Sequence, residues 1–285
     1  MAHIILFIFG LAIGSFLNVV SLRYQPRQKL LDLKIINGRS RCPHCSKELR
    51  WFELAPILSY IIQKGRCRSC GRRISFQYPL VELLSGLIFV FIPLVFFNDN
   101  FQSFNLLFFQ SVVWILIFTI FLLLSIIDYY HSIIPDSINL LLAALGVVLI
   151  FIHNLYFMLH NSFLGHYALL FGFQENIWIN RFFAAAISMI FIAAVIILSR
   201  GRGMGWGDFK LVGALGLIYG WPDILMILFL AFVIGAVFVT PLLLKKRKTI
   251  KDAVPFGPFL VIASVLVFFL GYQIIDGYFK LFGLY

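Results

Sequence analysis

The chain has 285 residues, of which 61% are hydrophobic and only 12% are charged. A soluble domain carries about a quarter charged residues, so this composition excludes an ordinary soluble protein and predicts a multi-pass membrane protein. The formal charge of +11 would suit a nucleic-acid partner, but 13 of the 23 Lys and Arg residues lie between Arg23 and Arg73, and five more between Lys245 and Lys251. Basic clusters between apolar runs are typical of cytoplasmic loops. The predicted partner is therefore the lipid bilayer, and no nucleic acid is expected.

Eight apolar runs are predicted to be transmembrane helices, because about 20 apolar residues cross the hydrocarbon core of a bilayer. The first run follows Met1-Ala2-His3, which contains no Lys or Arg, so we interpret it as a spanning helix and not as a cleaved signal peptide. The sixth run is short and rich in glycine, which predicts a tilted, broken or partly buried helix. The runs are 4–22, 79–97, 106–127, 137–153, 180–199, 209–220, 222–244 and 255–275.

The basic clusters predict the orientation of these helices. If loop 23–78 is cytoplasmic, the N-terminus is outside and the 245–251 cluster falls on the cytoplasmic side as well. Segment 154–179 has no Lys or Arg and is predicted to lie in the outer interface. The same alternation places Asp128 and Asp208 at the cytoplasmic ends of their helices.

The four cysteines of the chain form two Cys-x-x-Cys pairs within loop 23–78, Cys42 with Cys45 and Cys67 with Cys70. Two such knuckles make a tetrahedral four-sulfur site with no open position, which predicts a structural zinc ion. Disulfides or free thiols are the alternative, and a cytoplasmic location disfavours disulfides. Zinc would supply the stability that a loop of this size lacks.

The stretch between the two cysteine pairs, from Trp51 to Ile62, is apolar and aromatic. Glu53 is its single charged residue. We expect this stretch either to pack over the zinc module or to lie on the membrane surface.

Two carboxylates stand at the ends of apolar runs. Asp128 closes the third run, and Asp208 lies in the glycine-rich run Gly203–Lys210. An ionisable group in such a setting is costly and is rarely there for packing. If the two acids meet in a poorly solvated site, one keeps its proton and the other does not. Aspartyl proteolysis uses that asymmetry, because the ionised acid takes a proton from water and the protonated acid polarises the scissile carbonyl.

Several acidic residues also have structural interpretations. Asp208 could cap a helix that begins near Phe209, since Asp is a favourable N-cap residue. Asp136 follows Pro135, and capping of the next helix is the favoured interpretation. Glu82, at the start of the second run, is either an ion-pair partner or a functional residue.

Six groups of residues follow one another along the chain: Gly14–Val20 with Arg23, the two cysteine pairs, Tyr78–Glu82, Asp128 with Ile134–Asp136, Gly205–Lys210, and Pro255–Phe259. Together and in this order they resemble the bacterial prepilin peptidases, or type IV leader peptidases, which are membrane aspartyl proteases of the G-x-G-D type.

The resemblance implies that Asp128 and Asp208 are the catalytic pair. It implies cleavage of the short basic leader of prepilins and pseudopilins at the cytoplasmic face of the bacterial inner membrane, for type IV pili or type II secretion. It also implies N-methylation of the new N-terminal residue with S-adenosylmethionine, a step linked to the first cytoplasmic loop. The domains expected are the first transmembrane helix (1–22), a zinc-binding module (23–78) and a transmembrane peptidase domain (79–285).

Two alternative functions stay open at this point. A proton- or cation-coupled transporter would also contain buried acids, although it would place them near the middle of the bilayer. A leader peptidase that lacks the methylation activity is the other alternative, because the sequence contains no glycine-rich cofactor fold.

Overall fold

The computed structural model describes residues 2–26, 38–97, 104–157, 176–201, 203–244 and 254–281. Within these ranges the regular structure is helical, apart from two isolated β-bridges, which confirms the predicted all-α class. A short 3-10 helix spans Trp51–Glu53. The α-helices are α1 (Ala2–Arg23), α2 (Leu58–Ile62), α3 (Gln77–Phe97), α4 (Phe104–His131), α5 (Asp136–Phe157), α6 (Ile177–Leu198), α7 (Trp206–Tyr219), α8 (Asp223–Leu244) and α9 (Gly257–Leu281).

Seven helices of the described part are long and apolar enough to cross a membrane, namely α1, α3, α4, α5, α6, α8 and α9. Each of the eight predicted runs falls on a helix, but the helix of the sixth run is shorter than the other seven. It corresponds to α7, whose 14 residues extend about 21 Å, short of the roughly 30 Å hydrocarbon core. The polytopic architecture is therefore confirmed, with seven helices of spanning length in the described part, and the sixth run is a shorter helix enclosed by its neighbours.

The chain divides into two compact units, Met1–Leu123 and Leu124–Tyr285. In the first unit, α1 packs against α3. Their backbones approach so closely that a Cβ at Gly14 would lie 2.7 Å from the Cα of Glu82. Across the same contact, the Asn18 side chain donates a hydrogen bond to the Tyr78 carbonyl (3.2 Å). Small residues allow this close packing of membrane helices, and the hydrogen bond adds to it.

In the second unit, α7 packs against α5 and α6, and α8 packs against α9. The contact of α7 with α6 requires glycine, because a Cβ at Gly216 would lie 2.5 Å from the Cα of Ala185. Buried Arg181 on α6 donates a hydrogen bond to the Ile218 carbonyl in the last turn of α7. These contacts with α6 position the helix that carries Asp208.

Two predictions concern residues that lie largely outside the described part of the chain. Segment 154–179 is described only as far as Phe157, where α5 ends, and from Asn176 onward. The prediction that this segment lies in the outer interface therefore concerns residues outside the described part. The 245–251 basic cluster also falls outside them.

Candidate active site and metal centre

Asp128 lies in the last turn of α4 and is 4% exposed. Its Oδ2 atom accepts a hydrogen bond of 3.0 Å from the backbone N–H of Gly257, the first residue of α9. A helix N-terminus offers unpaired N–H groups and a favourable dipole, so it is suited to hold a carboxylate. Glycine allows this close approach, because a Cβ at position 257 would lie 2.7 Å from that same Oδ2 atom.

Asp208 is the third residue of α7 and is 8% exposed. Its Oδ2 atom accepts a hydrogen bond of 3.1 Å from the backbone N–H of Gly205, the N-cap residue. The sequence-based boundary near Phe209 was wrong, because the helix begins at Trp206. Asp208 is therefore not the N-cap, but its carboxylate still bonds to the cap residue and lies in the first turn, where negative charge is favoured.

The structure brings these two carboxylates to the same end of the second unit, where Asp208 contributes to the electrostatic field at Asp128. The start of α5 packs against the first turn of α7. Asn139 donates a side-chain hydrogen bond to the Gly207 carbonyl (3.4 Å), and a Cβ at Gly207 would lie 3.1 Å from that of Ile134. The connection that follows α4 is thereby docked beside Asp208.

Neighbouring charged residues form a separate pair on the surface. The Lys210 Nζ atom lies 2.8 Å from Oδ1 of Asp136, and both side chains are exposed. Asp136 is the first residue of α5, and its carboxylate accepts a hydrogen bond from the Lys210 ammonium group in this ion pair. An exposed pair of this kind contributes about 0–1 kcal/mol to stability.

Sequence reasoning missed Gly257 as a partner of Asp128. The residue stands in the Pro255–Phe259 motif, which contributed to the resemblance but carried no role. A glycine flanked by two Pro-Phe dipeptides was the available signal, since glycine marks close approach of the backbone to another group.

The four cysteines predicted as metal ligands gather into one cluster in the first unit. Their Sγ atoms all lie within 4.8 Å of one another, and those of Cys42 and Cys70 are 3.9 Å apart. A tetrahedral zinc ion with Zn–S bonds of about 2.3 Å separates its sulfur ligands by about 3.8 Å. The cluster therefore has the dimensions and the donor set of a four-thiolate metal site.

The two knuckles of the cluster have the same local structure. In the first, the Cys42 N–H donates to the Lys47 carbonyl (3.0 Å), and the Ser46 N–H donates back to the Cys42 carbonyl (2.9 Å). Ser46 has φ of 57°, in the left-handed region that this tight turn needs. The second knuckle repeats both bonds with Cys67, Arg72 and Gly71, at 2.9 Å each and with φ of 69° at Gly71.

Thiol acidity in the cluster suits metal binding. Backbone hydrogen bonds from Cys70 and Ser69 lower the pKa of the Cys67 thiol to about 7. At Cys70 a backbone hydrogen bond from Arg72 lowers the pKa, but desolvation and the neighbouring thiols outweigh it and raise the pKa to about 11. Four crowded thiols do not all ionise alone, and a cation among them favours the thiolate form.

Two regions of the chain match models of known protein families. Residues 8–96 match the bacterial peptidase A24 N-terminal domain, and residues 115–240 match the type IV leader peptidase family. The chain is 32% identical to the prepilin leader peptidase/N-methyltransferase of Bacillus subtilis, over 97% of this chain and 98% of that protein. The chain belongs to the type IV leader peptidase family. The family predicted from the sequence motifs is therefore confirmed.

Other relatives of this leader peptidase family show the same extent of similarity. The prepilin leader peptidase/N-methyltransferase of Xanthomonas campestris is 33% identical, over 96% of this chain and 93% of that protein. The corresponding protein of Stutzerimonas stutzeri is 31% identical, over 95% and 91%. No solved structure matches the chain.

In this member of the type IV leader peptidase family, the candidate metal ligands and the candidate catalytic residues fall in different matched regions. The region matching the N-terminal domain contains all four cysteines, and the leader peptidase region contains Asp128 and Asp208. Gly257 lies beyond the second region, although its N–H contacts Asp128.

Proposed function

We propose that the protein is a prepilin leader peptidase and N-methyltransferase, and that Asp128 and Asp208 are its catalytic residues. The observation that carries the proposal is the pair of buried carboxylates at one end of the second unit, each bonded to a backbone N–H. The names of the relatives support prepilins as substrates, and we extend the proposed substrate class to pseudopilins on the resemblance of the sequence motifs. Two buried acids, one of which acts on the other electrostatically, fit aspartyl proteolysis, and the family gives no support to a transporter.

The proposed cleavage uses one proton shared between the two acids. The ionised carboxylate removes a proton from a water molecule as the water oxygen adds to the scissile carbonyl carbon. The protonated carboxylate donates a hydrogen bond to the carbonyl oxygen. The scissile C–N bond then breaks, the new carboxyl group keeps the oxygen of the water, and the leaving amine takes a proton from the pair of acids. The N–H groups of Gly205 and Gly257 hold the two side chains in place, because each bonds to one Oδ2 atom.

The distribution of Lys and Arg supports the proposed orientation in a bacterial inner membrane. With loop 23–78 in the cytoplasm, the N-terminus is outside and both aspartates are at the cytoplasmic face. A leader with basic residues would remain on that side, which suits cleavage there.

We propose that three segments of the chain, 1–22, 23–78 and 79–285, have different roles. The first is a membrane helix, the second is a zinc-binding module linked to methylation, and the third is the peptidase. Zinc held by the four cysteines would be structural, since four thiolates leave no coordination position for a substrate. When bound, it ties the two knuckles of the module together.

Methylation is the second proposed step, with S-adenosylmethionine as the methyl-donating substrate. The new terminal amine forms an N–C bond as the S–C bond of the donor breaks, and the amine loses a proton. The names of the relatives support this step.

Co-expression with a prepilin tests the proposal. The wild-type protein is expected to shorten the substrate and, with labelled methyl donor, to label its new N-terminus. Asp128→Asn and Asp208→Asn, present in membranes at wild-type level, are each expected to leave the substrate uncut. Full processing by either variant would remove the catalytic assignment, and cleavage without label would remove the methylation.

A further inference from the structure

The apolar stretch between the two knuckles has a surface that its own module does not cover. Trp51 is 84% exposed and Ile62 is 67% exposed, and further apolar side chains beside them are also exposed. These residues, hereafter the apolar patch, are Trp51, Leu54, Leu58, Ile61, Ile62 and Phe76. Of the two alternatives left open by the sequence, packing over the cysteine module is therefore contradicted for these side chains.

A hydrogen bond fixes the depth of this patch relative to α3. The backbone N–H of Ile57, the N-cap residue of α2, donates to Oε2 of Glu82 (2.8 Å). Glu82 is buried and lies five residues after Gln77, where α3 begins, which is about 7.5 Å along the helix axis. The start of α2 is thus held beside a point more than one turn inside a membrane-spanning helix.

The backbone of the patch is suited to an apolar environment, where unpaired N–H and C=O groups are costly. The 3-10 helix closes with Leu54 N–H to Trp51 O (3.2 Å). In α2, Ile61 N–H donates to Ile57 O (3.0 Å). Glu82 pairs the N-cap N–H of Ile57, which has φ of 58°, an unusual value for a β-branched residue. A strained turn stabilised by a buried carboxylate indicates that this position is specifically held.

The excess of basic residues in the module that carries the patch points to lipid as its partner. The described part of the module, residues 38–76, contains nine Lys and Arg and two Glu. One of these cations, the Arg68 guanidinium, lies over the Phe52 ring at 5.2 Å. Apolar side chains in a segment rich in Lys and Arg are typical of segments that lie in a membrane interface and attract anionic headgroups.

We propose that the apolar patch inserts into the bilayer leaflet beside α3, with phospholipid as its occupant, and that Glu82 holds it there. The cysteine module is then anchored to the membrane surface as well as tethered by its two flanking helices. The anchor is independent of whether the chain cuts prepilins, since it rests on the geometry of the first unit alone.

Tryptophan fluorescence of the full chain in lipid vesicles tests the proposal. The difference between wild type and Trp51→Phe isolates the emission of Trp51 from that of the other four tryptophans. In vesicles of phospholipid brominated near the headgroup end of the acyl chain, this difference emission is expected to lose most of its intensity, and aqueous iodide is expected to quench it weakly. Strong iodide quenching without bromolipid quenching would overturn the proposal. Protection from both quenchers would assign the patch to a protein partner and would also overturn it.

Matched variants test the individual contacts. Ile61→Asn/Ile62→Asn is expected to reduce the bromolipid quenching of Trp51, whereas Ser46→Asn, at an exposed position of the first knuckle, is expected to leave it unchanged. Glu82→Leu is expected to reduce it as well, while Glu82→Gln retains an oxygen acceptor for Ile57 and is expected to preserve it. Equal quenching in Glu82→Leu and wild type would remove the holding role of Glu82.

Discussion

Gly257→Ala would displace the Asp128 carboxylate without placing a new atom against rigid backbone. The added Cβ would lie 2.7 Å from Oδ2 of Asp128 and 3.2 Å from a methyl group of Leu124. Ordinary contact requires about 3.5 Å, so the carboxylate oxygen must move by about 0.8 Å. Because that oxygen is at the free end of a side chain, the carboxylate can rotate away, and we expect the fold to tolerate the change.

The same rotation weakens the hydrogen bond from the Gly257 N–H, which is 3.0 Å long in the wild type. A hydrogen bond to a charged group contributes about 1.5–3 kcal/mol. If this stabilisation is lost where the acid must act, the rate falls roughly 10- to 100-fold, at 1.36 kcal/mol for each factor of ten. A displacement of about 1 Å at a reacting group has an effect of similar size. We therefore expect kcat to fall by that factor while KM stays close to wild type.

The assay is cleavage of a purified prepilin by detergent-solubilised protein, with initial rates measured over a range of substrate concentrations. Gly277→Ala is the matched control, because Gly277 lies on the same helix and a Cβ there would meet nothing within 4 Å. We expect this control to cleave at the wild-type rate. Thermal unfolding of each variant separates loss of activity from loss of fold.

A wild-type kcat in a folded Gly257→Ala protein would refute the reasoning, because the carboxylate would then act equally well from a displaced position. A fall in unfolding temperature that accounts for the whole loss of activity would refute it too. In that case Gly257 would serve the packing of α9 and not the position of Asp128.

Three further changes test other parts of the structure. Asp208→Asn is expected to lower the single-turnover cleavage rate by roughly 10²- to 10⁴-fold, the range for loss of general acid–base catalysis. Asp136→Asn removes only an exposed ion pair, so its rate should stay within a factor of about two of wild type. Comparable losses in both variants would contradict the catalytic assignment of Asp208. Cys42→Ser is expected to lower the zinc content of the purified protein, measured by metal analysis, to well below one ion per chain. If the wild-type protein, purified without a chelator, contains no zinc, the zinc site is contradicted. Gly216→Ala drives a Cβ to 2.5 Å from backbone atoms of α6 and should destabilise the fold by about 1–3 kcal/mol, whereas Gly235→Ala, with its nearest neighbour at 3.4 Å, should leave thermal stability nearly unchanged.

Much of the fold could be predicted because the bilayer imposes simple rules on a chain. The thickness of the hydrocarbon core sets how many apolar residues a span needs, so hydropathy located eight apolar runs, seven of which form helices of spanning length in the described part. The metal cluster was equally predictable, since a Cys-x-x-Cys turn forms locally and two of them have few ways to combine. The family, too, could be identified from short motifs, because each motif is a local pattern.

The contacts of the candidate site could not be predicted in the same way. Gly257 is 129 residues from Asp128, and nothing in the local pattern of α4 specifies which backbone N–H will meet its last acid. Lys210 stands two residues after Asp208, yet its ammonium group pairs with Asp136. The short length and the glycine content of the sixth run predicted a tilted, broken or partly buried helix, but hydropathy does not report which neighbours will cover it, so the packing of α7 against α5 and α6 could not be predicted.

The amino-acid sequence by itself determined which apolar runs form helices, the set of four cysteines that gathers into one cluster, and the two acids that we propose for proteolysis. Only the tertiary structure decided that α7 is enclosed by α5 and α6, that backbone N–H groups hold both acids, and that Glu82 holds the start of α2. The physical reason is that helix formation depends on neighbours in sequence, whereas the placement of a carboxylate depends on packing between helices that are distant along the chain.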